Sequence, residues 1–251
     1  MNKIRIIPTV LFRDTNTVRG KNFKSWRVVG SVMQSIKLYS LREVDELIFF
    51  DVTATKNKEI NYDLINDFAK ECFMPVVVGG GIRNINDIEN ILKIGADRVC
   101  INTALVENID FVKEAIKIFG VQCIIGSIDY KKDEKNKNFI WTNSGGIKTD
   151  NELFDFLKKV EDIGLGELLL TSIDHDGVMK GYDNPTLKKV NSNFNFKVIA
   201  SGGAGKKEDV YKTIKETNVS AISCSSIFHF TENTPLSIKR FLKEKKINVR
   251  I

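Results

Sequence analysis

Asp129 closes the apolar run Cys123–Ile128. A carboxyl at the end of a buried strand can be held near its titration point, where it takes up or hands on a proton. Two glycine turns carry a second kind of chemistry. Gly79-Gly80-Gly81 follows Val76–Val78, and Gly202-Gly203 follows Lys197–Ala200. Without side chains, their backbone N–H groups can approach an anion closely. Each turn has a polar partner one strand later, Asn102-Thr103 in one case and Ser225-Ser226 in the other, and hydroxyl and amide groups beside a helix start suit a phosphate. Strand-to-helix turns also favour Gly, Ser and Asn for purely local reasons, but the pair occurs twice at matching positions. The pattern therefore implies a small-molecule substrate with phosphates, or comparable anions, at both ends. Asp51 and Thr171, near the ends of two further apolar runs, join the candidate substrate contacts. So do Asp176 and Gly177 in the turn Asp174-His175-Asp176-Gly177, where Asp176 either accepts hydrogen bonds from sugar hydroxyls or caps a helix.

Positioning these residues requires strands that end on one face. Eight β-branched or aromatic runs alternate with amphipathic stretches: Arg5–Val10, Glu46–Asp51, Val76–Val78, Arg98–Ile101, Cys123–Ile128, Glu167–Ser172, Lys197–Ala200 and Ala221–Cys224. Between them, Asn61–Glu71, Ile85–Ile94, Asp110–Phe119, Asn151–Ile163, Asn184–Val190 and Lys207–Lys215 carry apolar residues at helical intervals. Strand followed by helix eight times over predicts an α/β fold, a single (β/α)8 TIM barrel, in one domain covering 1–251. Lys131–Asn138 reads as an exposed hairpin or loop. The chain also repeats itself by half-barrels: Glu167-Leu168-Leu169-Leu170 echoes Glu46-Leu47-Ile48-Phe49 at a displacement of 121 residues, and Gly202 follows Gly81 by the same 121. Setting Ile6-Ile7 on Ile124-Ile125 lays Asp129 on Leu11, and leucine transfers no protons.

Composition narrows the class. The chain has 251 residues, 42% hydrophobic and 28% charged, which is ample for a core, and no apolar run long enough to span a bilayer. Its first residues, Met1–Pro8, do not read as an export signal, so a cytoplasmic protein is expected. A net charge of +6 suits acidic small molecules or reflects lysine-rich helix faces, and with no basic block nucleic acid is not an expected partner. Cys72, Cys100, Cys123 and Cys224 are widely spaced, with only His175 and His229 as imidazoles. Buried free thiols are the better reading, and neither a metal nor a cofactor is expected.

Together, Asp45-Glu46-Leu47-Ile48-Phe49-Phe50-Asp51, Val78-Gly79-Gly80-Gly81-Ile82-Arg83, Ile101-Asn102-Thr103-Ala104, Leu170-Thr171-Ser172-Ile173-Asp174-His175-Asp176-Gly177, Ala200-Ser201-Gly202-Gly203-Ala204-Gly205 and Phe228-His229-Phe230 resemble the cyclase subunit family of imidazole glycerol phosphate synthase, in order and over essentially the whole chain. The resemblance implies a lyase subunit that pairs with a glutaminase subunit as a heterodimer and takes its ammonia through the barrel. In that family the substrate is a ribulosyl aminoimidazole carboxamide nucleotide of histidine biosynthesis. It also implies two catalytic aspartates, at the ends of the first and fifth strands. Asp129 holds the second position and Leu11 stands at the first. Arg19, in the loop Arg13–Lys24, stands where the family has a lysine on a mobile lid, and Asp14 is the nearest alternative carboxyl. Arg5, Glu46, Arg98 and Glu167 match the charged ring of the family's ammonia gate, which is favoured over an ordinary salt-bridge plug, and Asp97 beside it is a candidate docking contact. The aliphatic residue at position 11, with Glu71-Cys72-Phe73-Met74-Pro75, resembles a paralogue associated with surface-polysaccharide sugar amidation. The rival expectations are a standard cyclase and a non-catalytic barrel that activates its glutaminase.

Overall fold

A computed structural model describes residues 3–42 and 44–251. Met1 and Asn2, which open the amino-terminal segment read above, and Glu43 lie outside the described residues. Eight parallel strands form the barrel: β1 (Arg5–Arg13), β2 (Leu47–Asp51), β3 (Val76–Gly79), β4 (Arg98–Ile101), β5 (Ile124–Lys132), β6 (Glu167–Ser172), β7 (Lys197–Ser201) and β8 (Ala221–Cys224). Each pairs with its chain neighbours, β8 pairs with β1, and the β5–β6 ladder completes the ring, so no barrel strand is left as an edge.

An amphipathic helix follows every strand: α1 (Val32–Ser40), α2 (Tyr62–Lys70), α3 (Ile85–Lys93), α4 (Ile109–Phe119), α5 (Leu153–Asp162), α6 (Asn184–Asn193), α7 (Lys207–Thr217) and α8 (Pro235–Glu244). Their starts are fixed by side-chain caps such as Ser31, Asn61, Asn108 and Asp183, and by a capping box of Asn84 with Asp87. The helices press Ile36, Ile65, Ile88, Val112, Leu157, Val190, Val210 and Ile238 onto the outward faces of the strands. Inside, one side chain from each strand makes a dry layer: Ile7, Ile48, Val77, Cys100, Ile125, Leu169, Ile199 and Ala221. Burying a side chain of this size stabilises by about 1.5–3 kcal/mol, which is why these positions alternate with the outward set along every strand.

Two features depart from the sequence reading. The segment Arg13–Lys24, expected as a lid loop, is mostly an antiparallel hairpin of Asn16–Lys21 and Lys24–Ser31, joined to the end of β1 at Phe12 and Arg13. Asn22 and Phe23 make its turn at φ of 51° and 59°. The first strand also runs three residues beyond Val10, to Arg13, and holds Leu11 in the strand, where it was expected. The polar stretch after Tyr130 is a hairpin, as one of its two readings had it: the end of β5 pairs with Asn138–Thr142, which pairs in turn with Ile147–Glu152.

Candidate active site

Inward residues stack in layers along the barrel axis. At the amino-terminal end lies a ring of four charges. Glu46 receives Arg5 at 2.8 Å and Arg98 at 3.0 Å, and Glu167 receives Arg98 at 2.7 Å and also Arg5. Both carboxylates are nearly fully buried, so each needs two guanidinium partners to offset the loss of water. Burial pulls the Arg98 pKa down, but Glu167 and Glu46 outweigh it and leave it raised. Asp97 is exposed beside the ring and accepts from Val76 N at 2.7 Å.

The apolar layer separates this ring from a cavity of about 360 Å³ at the carboxyl ends of the strands. Leu11, Phe50, Asn102, Asp129, Thr171, Ser201 and Ser225 face it. Phe50 fits only because Gly79 has no side chain, since a Cβ there would lie 2.4 Å from the ring. Asp129 is 8% exposed and accepts Asn102 Nδ2 at 3.2 Å. Burial drives its carboxyl up to about 7; a Thr171 hydrogen bond opposes the rise and the Asp176 charge adds to it. The group is thus poised to exchange a proton at neutral pH. Leu11 also lines the cavity, at the end of β1. Asp14 lies exposed in the turn beyond, at φ 51°, away from the cavity lining.

The paired turns lie on the same cavity. Gly80 and Gly81 adopt φ of 109° and 77°, and a Cβ at Gly80 would come within 2.5 Å of Asp51 O. Gly202 and Gly203 adopt 84° and 132°, and a Cβ at Gly203 would lie 2.3 Å from Gly181 O. Only glycine fits such positions. Asn102-Thr103 and Ser225-Ser226 open the short helices Thr103–Glu107 and Ser226–Phe230, neither of which has a side-chain cap. Beside the first cradle the wall carries Lys58 and Arg83, with Arg83 Nε bonded to Gly81 O at 3.2 Å. These two cations were not singled out by the sequence reading, although Arg83 lies two residues past the glycine turn. Asp51 turns back to cap its own loop through Thr53 N, Thr53 Oγ1 and Ala54 N at 2.7–3.1 Å. Asp176 and Gly177 also line the cavity.

Arg19 needs correcting against its expected place on an open lid. Its side chain is 2% exposed, lies off the cavity lining, and donates to Val18 O and Thr9 O at 2.7 Å, with His229 Nε2 at 3.0 Å. Strand alternation in the hairpin turns Thr17 and Arg19 toward β1, where Thr9 O accepts the guanidinium, with Val18 O of the hairpin itself as the second acceptor. Burial lowers its pKa to about 10, and its Nε has no hydrogen-bond partner among the described residues. Burial, with Arg19 nearby, holds His229 down at about 4, so the imidazole is neutral and accepts. What the hairpin does present to the cavity is Phe23 and Trp26. Asn22 fixes it there, bonding Ile173 O, Asp174 O and Asp176 O at 2.9 Å, and Phe23 packs on Gly145 of the second hairpin.

The family described as "Histidine biosynthesis protein" matches residues 5–234. An imidazole glycerol phosphate synthase subunit HisF from Staphylococcus carnosus is 40% identical over 252 residues, covering 100% of this chain and 99% of that protein. Another HisF, from Dictyoglomus thermophilum, is 41% identical over 248 residues, 98% of each chain. A Campylobacter jejuni protein provisionally named imidazole glycerol phosphate synthase subunit hisF2 is 39% identical over 251 residues, 100% of both.

Proposed function

The chain belongs to the HisF family of imidazole glycerol phosphate synthase subunits, cyclase-type enzymes, and from that membership we propose that it uses ammonia from a glutaminase partner on a phosphorylated or nucleotide-linked sugar, in surface-polysaccharide sugar amidation. The sugar-amidation reading is carried by Leu11. It faces the cavity from the end of β1 where a carboxyl would be needed for the standard reaction, while both anion cradles and Asp129 are kept. The hisF2 relative, matched over its full length, fits a branch separate from the standard cyclase. The charged ring supports ammonia entry from the glutaminase side: Glu46 and Glu167, each shared by two arginines, make a closed plug that a docked partner could part.

In this reading the two cradles hold anionic groups of the substrate at opposite walls, and Lys58 and Arg83 add charge to the first. Asp129, near its midpoint at neutral pH, exchanges a proton as ammonia attacks a carbonyl or amide carbon. Arg19, buried behind β1, supports the cavity wall from the rear and leaves the lid surface to Phe23 and Trp26. Assay of the purified chain with the ribulosyl aminoimidazole carboxamide nucleotide and ammonium chloride tests this. Turnover at least about 100-fold below an ordinary cyclase is expected from the absent carboxyl. Turnover matching an ordinary cyclase would instead establish the standard histidine-pathway role.

A further inference from the structure

Four carboxylates line the cavity: Asp51, Glu107, Asp129 and Asp176. Asp51 is committed to its own loop by three hydrogen bonds. Glu107 is exposed at the end of a short helix. Asp176 differs from both. Its backbone is locked, with N–H donating to Ser172 O at 3.0 Å and O accepting from Asn22 N at 2.9 Å, so its side chain has a fixed origin. Among the described residues no donor hydrogen-bonds its carboxylate, which is therefore free for a ligand. Its charge is felt by Asp129 on β5 and by Arg19 on the hairpin, and Arg19 in turn touches His229 and lies near Tyr39.

We propose that Asp176 is the second proton-transfer residue of this site, taking on from the turn after β6 the task for which β1 here carries only Leu11. The inference rests on the ammonia-using reading above. The two carboxyls divide the work. Burial raises Asp176 to about 6, with Arg19 holding the rise in check, whereas Asp129 reaches about 7. Arg19 favours the ionised form of Asp176 alone, so we assign Asp176 as the base and Asp129, with no cation beside it among the described residues, as the acid. As ammonia adds to a carbonyl carbon, the C–N bond forms and the C=O π pair moves to oxygen. That oxygen takes the proton of Asp129 while the new ammonium nitrogen gives one to Asp176. In the second stage the nitrogen lone pair expels the hydroxyl, which leaves as water with the Asp176 proton, and the iminium returns a proton to Asp129. Carbonyl plus ammonia thus becomes imine plus water, with both carboxyls restored.

The pair is tested first without substrate. Carbon-13 carboxyl NMR on the full chain follows the Asp129 midpoint in native protein and in Asp176→Asn. A downward movement is expected, because a like charge is removed; an unmoved midpoint would overturn the proposal. The second readout uses the ribulosyl nucleotide with ammonium chloride. Asp176→Asn should lower the residual turnover roughly 100-fold, and adding Leu11→Asp to it should restore most of that loss. A merely structural Asp176 would not be rescued from the other side of the cavity. If Asp176→Asn keeps full turnover, or the double variant stays dead while Leu11→Asp alone is active, the proposal fails. If no variant consumes this nucleotide, that result counts against cyclase activity on it, and the titration alone decides the pair.

Discussion

Asp129 shows how function opposes stability at a single residue. A carboxyl held at about 7 makes its ionised form cost on the order of 4 kcal/mol above that pH. The folded state binds the extra proton between the ordinary carboxyl range and pH 7, so stability falls as pH rises through that window. Asp129→Asn should therefore raise the melting temperature most at pH 8, less at pH 5 and hardly at all below about pH 4, while lowering ammonia-dependent turnover by at least about 100-fold. Calorimetry across these pH values checks the first part. Much of this residue-level picture was legible in the sequence: Asp129, the two glycine pairs and the substitution at Leu11 all follow from strand ends and the internal repeat. Arg19 was not, because its direction depends on hairpin pairing, on Thr9 O of β1 and on His229, 210 residues away in the chain. Lys58, Phe23 and Trp26 were missed for the same reason, as nothing in their local pattern shows which cavity they reach.

Among the elements, the hairpin after β1 decides how closed the cavity is. Its anchor is steric as much as polar: Gly177, at φ 68°, lies so close to Gly20 that an added Cβ would stand 2.0 Å from Gly20 O. Gly177→Ala should push the hairpin away from the turn after β6, raising KM and lowering kcat, with the melting temperature lowered by about 2–8 °C. Limited proteolysis between Arg13 and Lys24 reads the displacement, and an unchanged cleavage rate with unchanged kinetics would show that the hairpin does not govern access. Six of the eight strand runs were readable to within a residue at their starts and ends, because buried parallel strands are short β-branched runs. β1 and β5 were the exceptions: both run on past the barrel into hairpins, β1 to Arg13 and β5 to Lys131-Lys132, where no apolar pattern is required. Helix α1 carried a readable signal, Val32, Ile36 and Tyr39 on one face, and went unread in favour of the loop before it.

Across the whole molecule, chemistry occupies one end and the charged ring the other, with a layer of eight apolar side chains between. Glu46 and Glu167, related by the half-barrel repeat, each bridge the same two arginines. Glu167→Gln leaves Arg5 and Arg98 to share Glu46 alone, and stability should fall by roughly 1–3 kcal/mol, tempered by the partial exposure of Arg5. If the ring is also the ammonia entrance, the same change should separate glutamine-driven from ammonium-driven turnover, reducing the first with the second preserved. A pure plug would show equal effects on both. The most direct measurement supplies nitrogen-15 ammonium chloride to the native chain with either nucleotide-linked N-acetyl sugars or the ribulosyl nucleotide, and follows the label by mass spectrometry. The expected result is label in a sugar product with native protein and none with Asp129→Asn. Label entering only the ribulosyl nucleotide, at the rate of an ordinary cyclase, would contradict the account.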